Sequence, residues 1–207
     1  MSYDFKREYK DLYQPKTTPS IIDVPKMNFI AIEGEGDPNT SEAYVVAVET
    51  LYGLSYSIKM SNKEVLEYIV PPLEGLWSAG DDFRGGGATI TDKSMFIWTM
   101  LIRQPEFVTN EVFENAREKL TKRKPHLDTS IAKLITFTEG LCVQALHHGS
   151  YDDEPVTIIS LETFAIDNGY AIDINAKRLH HEIYLSDPRK VVPEKLKTIL
   201  RHPIREL

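Results

Sequence analysis

Glu182 and Tyr184 have the residue types and the spacing of a proton-transfer site. They are two positions apart in the strand-like segment 179–188, so their side chains should share one face of a β-strand. A carboxylate can take a proton from water, and a phenol can donate a hydrogen bond to an oxygen that gains negative charge. The pair therefore indicates either the floor of a site or a solvated strand edge.

The elements around this pair form a repeated pattern. Segment 95–105 is strand-like, runs into a proline and precedes a helix-start pattern, as segment 179–188 does. When the two prolines are aligned, Thr99 takes the place of Glu182. Two upstream pairs of segments also resemble each other: 31–37 and 145–151, then 46–51 and 159–164. We predict a duplicated α+β unit, in which two copies of a strand, glycine turn, helix, strand, strand, helix pattern form two sheets with a seam between them.

Apolar spacing and capping residues predict the helices. The first is a short amphipathic helix that ends at Pro15. The others begin near capping or first-turn residues: Asn39, Thr109, Pro155 and Pro193. The last of these helices carries Leu196, Ile199 and Leu200 as its apolar positions.

Segment 71–93 makes the first copy longer than the second. We interpret it as a loop or flap that belongs to the first half alone. The stretch Arg84–Gly87 within it is glycine-rich but lacks the Lys-Ser/Thr ending that holds phosphate groups in nucleotide-binding loops. It is therefore typical of a loop tip rather than of a phosphate site.

Composition and charge exclude several classes of protein. The chain has 207 residues, of which 42% are hydrophobic, enough for a globular core without disulfide bonds. Its single cysteine, Cys142, lies in an apolar run, where a thiol usually packs as a small hydrophobe. The net charge of −7 argues against direct nucleic-acid binding, because phosphate contacts require clustered Lys and Arg. With no signal-peptide pattern and no apolar run of membrane-spanning length, we expect a cytoplasmic protein that does not bind membranes.

Neighbouring histidines do not form a metal-ligand pattern. His147–His148 and His180–His181 are adjacent pairs, and adjacent residues of a strand point to opposite faces. Each pair can offer only one ligand to a given pocket, whereas a zinc site needs three or four. We therefore expect neither a metal site nor another cofactor.

Trp77 and Trp98 fall close to the expected seam between the two halves. Trp98 is next to Thr99, and Trp77 shares segment 71–77 with Glu74. Tryptophans in strands are commonly core residues, because their rings bury a large area. The nearby acids favour a second interpretation, since aromatic walls and poorly solvated carboxylates suit flat organic cations and polarised electrophiles.

Four ordered motifs give the chain a family resemblance. From about Met27 onward the sequence resembles the stand-alone GyrI-like small-molecule-binding proteins. The motifs that carry the resemblance are PPLEGLW at 71–77, WTMLIRQP at 98–105, ALHHGSYDDEP at 145–155 and HEIYLSDP at 181–188. The resemblance implies a SOUL-like fold with two curved sheets around a pseudo-two-fold cleft and an acid at its centre. By motif position this acid is Glu182.

The resemblance also implies how the chain is divided. Residues 1–25 are expected to form an N-terminal helix and connector, and residues 26–207 the small-molecule-binding domain. The two halves of that domain are expected at about 26–125 and 133–207.

The chain resembles one branch of the family, the cyclopropanoid cyclohydrolases, and this resemblance implies a reaction. These enzymes add water to cyclopropane-containing compounds that alkylate DNA. In this chain Glu182 would act as the general base, and Tyr184 or Tyr151 would donate a hydrogen bond to the carbonyl that gains charge. The ligand pocket is expected to contain six residues: Glu74, Trp77, Trp98, Thr99, Met100 and Tyr151.

Three functions are compatible with the sequence. The first is binding of hydrophobic, often cationic or polycyclic aromatic molecules, combined with hydrolysis of cyclopropanoid genotoxins. The second is ligand sensing without catalysis, in which the protein acts with a separate transcription regulator, because the chain itself shows no helix-turn-helix module. The third is sequestration of a metabolite or a tetrapyrrole-like ring. Turnover distinguishes the first function from the other two.

Overall fold

The structure, a computed structural model, describes residues 2–79 and 92–207. This part of the chain contains nine β-strands and five α-helices. The strands are β1 (Ser20–Val24), β2 (Met27–Glu35), β3 (Leu73–Ala79), β4 (Phe96–Gln104), β5 (Lys133–Phe137), β6 (Gly140–His148), β7 (Tyr170–Ile172), β8 (His180–Tyr184) and β9 (Lys197–Glu206). The helices are α1 (Phe5–Glu8), α2 (Lys10–Tyr13), α3 (Glu42–Ser61), α4 (Asn110–Arg123) and α5 (Glu154–Asp167). None of these helices is long and apolar enough to cross a membrane.

The order of the strands reveals an internal symmetry. Antiparallel pairs join the described strands in the order β1-β6-β9-β8-β3-β4-β2-β5, and the short β7 adds to β9. From the central β3–β8 pair outward, the order β3, β4, β2 on one side mirrors β8, β9, β6 on the other. Each half thus contains a β-α-β-β unit, β2-α3-β3-β4 and β6-α5-β8-β9. The duplicated α+β unit predicted from the sequence is confirmed.

The sheet is continuous rather than divided into two. β3 and β8 hydrogen-bond to each other across the centre, so the predicted pair of separate sheets is wrong. The alignment on prolines also matched the wrong strands, because the mirrored order makes β3, and not β4 with Thr99, the counterpart of β8. The alignment failed because segment 71–93 is more than an insertion: residues 73–79 within it form the central strand β3.

Two predicted helices differ from the structure. The N-terminal helix is split into the short α1 and α2. The helix predicted after Pro193 is wrong, because a 3₁₀ turn at Pro193–Lys195 leads into strand β9. Most of β9 is buried on both faces, and short apolar runs of this kind fit helix and strand spacing alike. The loop tip predicted at Arg84–Gly87 lies outside the described residues.

The register of the central strands fixes which side chains share a face. Gly75 pairs with Met100 on one side and with Glu182 on the other, and Glu182 pairs in turn with Leu200. Directly paired residues lie on the same face of a sheet, so these four positions form a row across its middle. Met100 packs in the core with α3, and Leu200 packs in the core with α5. The row therefore crosses the face that the two helices cover.

The helices α3 and α5 stand on either side of this row. The buried residues of α3 include Ala47, Leu51, Leu54 and Ile58, whose spacing of three and four places them on one stripe facing the sheet. α3 packs against β2 and β4, and α5 packs against β6 and β9. The two central strands consequently form a floor between the helices. We call the space above β3 and β8, between α3 and α5, the central cleft.

The opposite face of the sheet carries the N-terminal helices and a buried ion network. Arg201 donates hydrogen bonds to Glu139 and to the carbonyl oxygen of Leu12, each at 3.0 Å. His181 lies between two carboxylates, 3.1 Å from Glu74 and 3.0 Å from Glu139. Burial disfavours the charged imidazole, but the two carboxylates outweigh burial and raise the pKa of His181 to about 9. His181 is thus a cation at neutral pH.

The stability that His181 contributes should disappear at alkaline pH. Its folded pKa of about 9 lies above its ordinary value of 6.5, so the contribution is complete below pH 6.5 and is lost as the pH rises through about 9. In urea denaturation, His181→Gln should lower the free energy of unfolding by roughly 3–5 kcal/mol below pH 6.5, because the two buried carboxylates lose the cation that lies between them. The difference from wild type should shrink above pH 9. The exposed His148 provides the control His148→Gln, and a pH-independent difference would contradict the assigned charge.

Candidate active site

Glu182 lies at the centre of the cleft floor with both carboxylate oxygens engaged. Its Oε2 accepts a hydrogen bond from the Tyr184 hydroxyl at 2.7 Å, and its Oε1 lies 3.1 Å from Nε2 of His180. These three residues alternate along β8, so their side chains share the helix-covered face. Glu182 is only 8% exposed, and its carboxylate is therefore poorly solvated.

Gly75 allows two aromatic side chains to close over the floor. The indole Nε1 of Trp77 donates a hydrogen bond to the hydroxyl oxygen of Tyr184 at 2.9 Å. A Cβ atom at position 75 would lie 2.5 Å from that indole nitrogen, closer than Cβ atoms come to other atoms, and 3.0 Å from the Tyr184 hydroxyl oxygen. The hydrogen-bond chain from Trp77 through Tyr184 to Glu182 therefore requires a glycine opposite Glu182.

Glu154, the first residue of α5, brings a second carboxyl group to the same place. Its oxygen, an oxygen of Glu182 and a ring nitrogen of His180 all lie within 4.8 Å of one another. Glu154 is 2% exposed, and its Oε1 has no hydrogen-bond partner among the described residues. Burial, followed by the nearby charge of Glu182, raises the pKa of Glu154 well above its usual range. Glu154 thus keeps a proton at pH values where an ordinary carboxyl group is ionised.

Two further tyrosines stand at the sides of the cleft. Tyr44 of α3 contacts Trp77 with 6.2 Å between ring centroids, and Tyr151, in the 3₁₀ turn before α5, packs edge-on against Tyr184 at 6.0 Å. Tyr151 is 37% exposed, which places it at the mouth of the cleft. Burial raises the pKa of both Tyr44 and Tyr151, and the charge of Glu182 raises it further. Both phenols therefore stay protonated and can donate hydrogen bonds.

The residues expected in the ligand pocket occupy three different places. Tyr151 and Trp77 meet Glu182 and Tyr184 in the cleft. Met100 shares the central row, where its sulfur lies 3.2 Å from the position of a Cβ on residue 75. Trp98 is 1% exposed and packs behind Tyr44, with 5.3 Å between ring centroids. Its ring supports the cleft wall from behind rather than forming the wall itself.

Glu74 and Thr99 lie on the other face of the sheet. Glu74 accepts a hydrogen bond from the Tyr13 hydroxyl at 3.1 Å and joins the ion network of His181. Thr99 follows Trp98 and precedes Met100 on β4, so strand alternation turns it away from the cleft. The structure does not bring these two residues to Glu182.

Three residues of the cleft are absent from the sequence-based site: Tyr44, Glu154 and His180. His180 stands two positions before Glu182, so strand alternation could have placed it on the same face. Tyr44 and Glu154 reach the cleft from helices, and the rotation of a helix about its axis depends on tertiary packing. The sequence holds no comparable signal for these two.

The donor atoms of Glu154, His180 and Glu182 are close enough to hold a divalent cation. His180 and Glu182 already engage each other at 3.1 Å, and Tyr184 donates to the second oxygen of Glu182. A cation would have to break the first contact and displace the proton of Glu154. A proton on Glu154 lowers the charge of the cluster without either change, and a carboxyl pair in this state is also able to transfer protons.

A wide groove elsewhere on the described chain does not coincide with this cluster. A space of about 700 Å³ lies beside the N-terminal segment and is lined in part by Tyr3, Phe5, Tyr9 and Arg103. Among the described residues that line it, Glu106 is the only acid. The paired carboxyl groups, which can move protons, lie in the central cleft instead.

The duplicated α+β fold and the acidic, aromatic cleft between its halves define a small-molecule-binding protein. The chain matches the model of the GyrI-like small molecule binding domain over residues 17–205, and it belongs to that family. The resemblance drawn from the sequence motifs is confirmed.

Solved structures extend the comparison. An uncharacterized conserved protein and a hydrolase, both from Listeria innocua, are similar over 99% of this chain and 100% of theirs. The first is 45% identical with a TM-score of 0.92, and the second is 44% identical with a TM-score of 0.89. The EcmrR C-terminal domain is 13% identical with a TM-score of 0.54 over 92% of this chain and 98% of that domain, which shows a shared fold alone. No curated protein matches the chain.

The buried carboxyl group of Glu154 should destabilise the protein increasingly as the pH rises. Its folded pKa lies above the ordinary value of 4.5, so its contribution to stability is complete below pH 4.5 and is lost as the pH rises through the folded value. Glu154→Gln keeps the shape of the side chain and cannot ionise. In urea denaturation the free energy of unfolding of Glu154→Gln, relative to wild type, should increase steadily from pH ~5 to pH ~8. A constant difference, such as we expect for the exposed Glu194→Gln, would show that Glu154 titrates normally.

Proposed function

We propose that the central cleft binds flat hydrophobic, often cationic or polycyclic aromatic molecules and hydrolyses cyclopropanoid compounds that alkylate DNA, which detoxifies them. The observation that carries the proposal is the buried pair of carboxyl groups: Glu182 accepts a hydrogen bond from Tyr184, and burial raises the pKa of Glu154 well above its usual range. Similarity over the whole chain to a Listeria protein described as a hydrolase supports a hydrolytic reaction.

The aromatic walls suit a flat ligand. Trp77 lies between Tyr44 and Phe96, with ring centroids 6.2 Å and 5.5 Å away. Aromatic rings gain stacking and edge-to-face contacts with another flat ring system in addition to the area that they bury. A positive charge on such a ligand would be attracted to Glu182, whose carboxylate is poorly screened by water.

In the first step of the proposed reaction, Glu182 acts as general base. It takes a proton from a water molecule, and the water oxygen forms a bond to a carbon of the cyclopropane. The bond between that carbon and the conjugated ring breaks. Its electron pair moves through the ring to the carbonyl oxygen, which becomes a phenolate. Release of ring strain and rearomatisation supply the driving force.

In the second step, the phenolate oxygen is stabilised and protonated. Tyr184 already donates to Glu182, so we assign Tyr151, at the mouth of the cleft, as the donor to this oxygen. Glu154 supplies the proton and becomes a carboxylate. The proton held by Glu182 then passes to Glu154 through one bridging water molecule, since their oxygens lie within 4.8 Å. One water is consumed, and both carboxyl groups return to their starting states.

Binding without turnover is the second candidate function. A lipophilic cation would compensate the charge of Glu182 in a cleft that excludes water, and no chemistry is needed for this gain. A sensor or sequestering protein of this kind could act with a separate transcription regulator. The acidic cleft favours this alternative, whereas the fold that the chain shares with EcmrR does not extend that protein's function to it.

Glu182→Gln should separate the two functions, because it preserves the shape of the cleft and removes the proton acceptor. If Glu182 is the base, opening of a spirocyclopropyl cyclohexadienone, followed as loss of dienone absorbance, should slow about 100-fold or more. Affinity for this neutral compound should change little. The exposed Glu194→Gln is the matched control and should keep the wild-type rate.

The dye rhodamine 6G provides the complementary measurement. If Glu182 is only a counter-ion, Glu182→Gln should weaken dye binding by about 1–3 kcal/mol, and the wild type should not open the dienone faster than buffer does. Equal rates and equal dye affinities for wild type and Glu182→Gln would contradict both functions of this residue.

A further inference from the structure

His202 is a buried histidine of β9 that reaches the cleft through another histidine. Its Nε2 lies 2.7 Å from Nδ1 of His180, and Nε2 of His180 lies 3.1 Å from Oε1 of Glu182. Both imidazole rings are fully withdrawn from solvent. The three side chains therefore form a line from β9 to the cleft floor.

The contact between the two rings restricts where their protons can be. Two nitrogens 2.7 Å apart need one donor and one acceptor. Burial lowers the pKa of His202 well below its usual value, so this ring is neutral and has a single N–H. His202 can therefore either donate to His180 or accept from it.

For a neutral His180 ring, the two arrangements assign opposite charges to Glu182. If Nε2–H of His202 donates to Nδ1 of His180, the proton of His180 is on Nε2 and donates to a Glu182 carboxylate. If His180 instead donates from Nδ1, its Nε2 is bare, and Glu182 must carry a proton to make the same contact. The tautomer of His180 thus decides which member of the carboxyl pair is ionised.

The carboxylates at the two ends of the His202–His180 pair decide between these arrangements. At the outer end, Glu162 lies 3.6 Å from Nδ1 of His202, beyond hydrogen-bond distance, and its side chain is 37% exposed, so water screens its charge. At the inner end, Glu182 lies 3.1 Å from His180 with a side chain only 10% exposed. The closer and less screened carboxylate is the stronger attractor. It draws the protons of both rings towards the cleft.

We propose that His202 is a positioning residue. By donating from Nε2 it fixes the Nε2–H tautomer of His180, which holds Glu182 as the ionised carboxyl group and leaves the proton on Glu154. The catalytic consequence of this inference rests on the proposed hydrolysis, because it says which of the two acids is the base. Packing alone would not require either ring to hold a particular tautomer.

The other groups that face Glu182 leave this choice to His180. Titratable side chains face Glu182 from four elements: His180 and Tyr184 on β8, Tyr44 on α3, Tyr151 in the turn before α5, and Glu154 on α5. The three phenols stay protonated because burial raises their pKa values. The position of the proton on the His180 ring is therefore linked to the position of the proton of the acid pair.

NMR spectra of the ¹⁵N-labelled wild type test the tautomer without a substrate. Two-bond correlations in the imidazole rings distinguish a proton on Nε2 from one on Nδ1. We expect His180 and His202 to be Nε2–H tautomers at neutral pH. An Nδ1–H tautomer of His180, or a His180 ring protonated on both nitrogens, would overturn the proposal, whether or not the protein is an enzyme.

Two variants of His202 test the consequence for turnover. His202→Gln keeps an N–H donor at the end of its side chain, whereas His202→Leu has no polar side-chain atom. His202→Leu should lower kcat for the spirocyclopropyl cyclohexadienone about tenfold and shift the rise of activity with pH to higher pH, because the charge of Glu182 loses support. His202→Gln should keep most of the wild-type rate, and Glu162→Gln should leave the rate and the pH profile unchanged.

The outcomes separate this proposal from the proposed function. A wild type that does not open the dienone contradicts the function, while the NMR spectra still decide the tautomer. A folded His202→Leu protein with the wild-type rate and pH profile contradicts the positioning role. A loss in Glu162→Gln as large as that in His202→Leu would indicate the opposite proton arrangement. If His202→Leu does not fold in urea-denaturation controls, a folded but inactive His202→Gln protein contradicts the proposal, and an active one supports it.

Discussion

The antiparallel pairing of β3 with β8 is the contact on which the rest of the site depends. It joins the two halves into one sheet and places Gly75 opposite Glu182, so that Trp77 and Tyr184 can meet above the floor. A shift of the register by one residue would move every side chain of β8 to the other face. His181 would then enter the cleft, and Glu182 would enter the ion network of the opposite face.

Burial of charge gives the two faces of β8 different roles. On the face that carries the N-terminal helices, burial opposes ionisation of Glu139, but His181 and Arg201 outweigh it and lower the pKa of Glu139 to about 2. Opposite charges there balance in a fixed network, which stabilises the fold. On the cleft face, burial and then the nearby charge of Glu182 raise the pKa of Glu154 well above its usual range, so Glu154 holds a proton. An acid pair that shares a proton is suited to chemistry.

Strand alternation and family motifs predicted the duplicated unit and the shared face of Glu182 and Tyr184, because both depend on local sequence. The strand β3 was missed because segment 71–93 was interpreted as an insertion, which also hid the fact that Glu74 and Trp77, three positions apart, must point to opposite faces. Glu154 could not be predicted, since its burial depends on how α5 packs. The tautomer of His180 depends on a residue of another strand, His202, and is equally invisible in the sequence.

We propose that the carboxyl pair of the cleft holds a single proton and that this proton is on Glu154. Infrared difference spectra between wild type and each Glu→Gln variant measure this directly, because protonated and ionised carboxyl groups absorb at different frequencies. At neutral pH we expect the wild type minus Glu154→Gln spectrum to contain the C=O band of a protonated acid, and the wild type minus Glu182→Gln spectrum to contain carboxylate bands. A protonated-acid band that disappears in Glu182→Gln instead, or that is absent from both difference spectra, would contradict the claim.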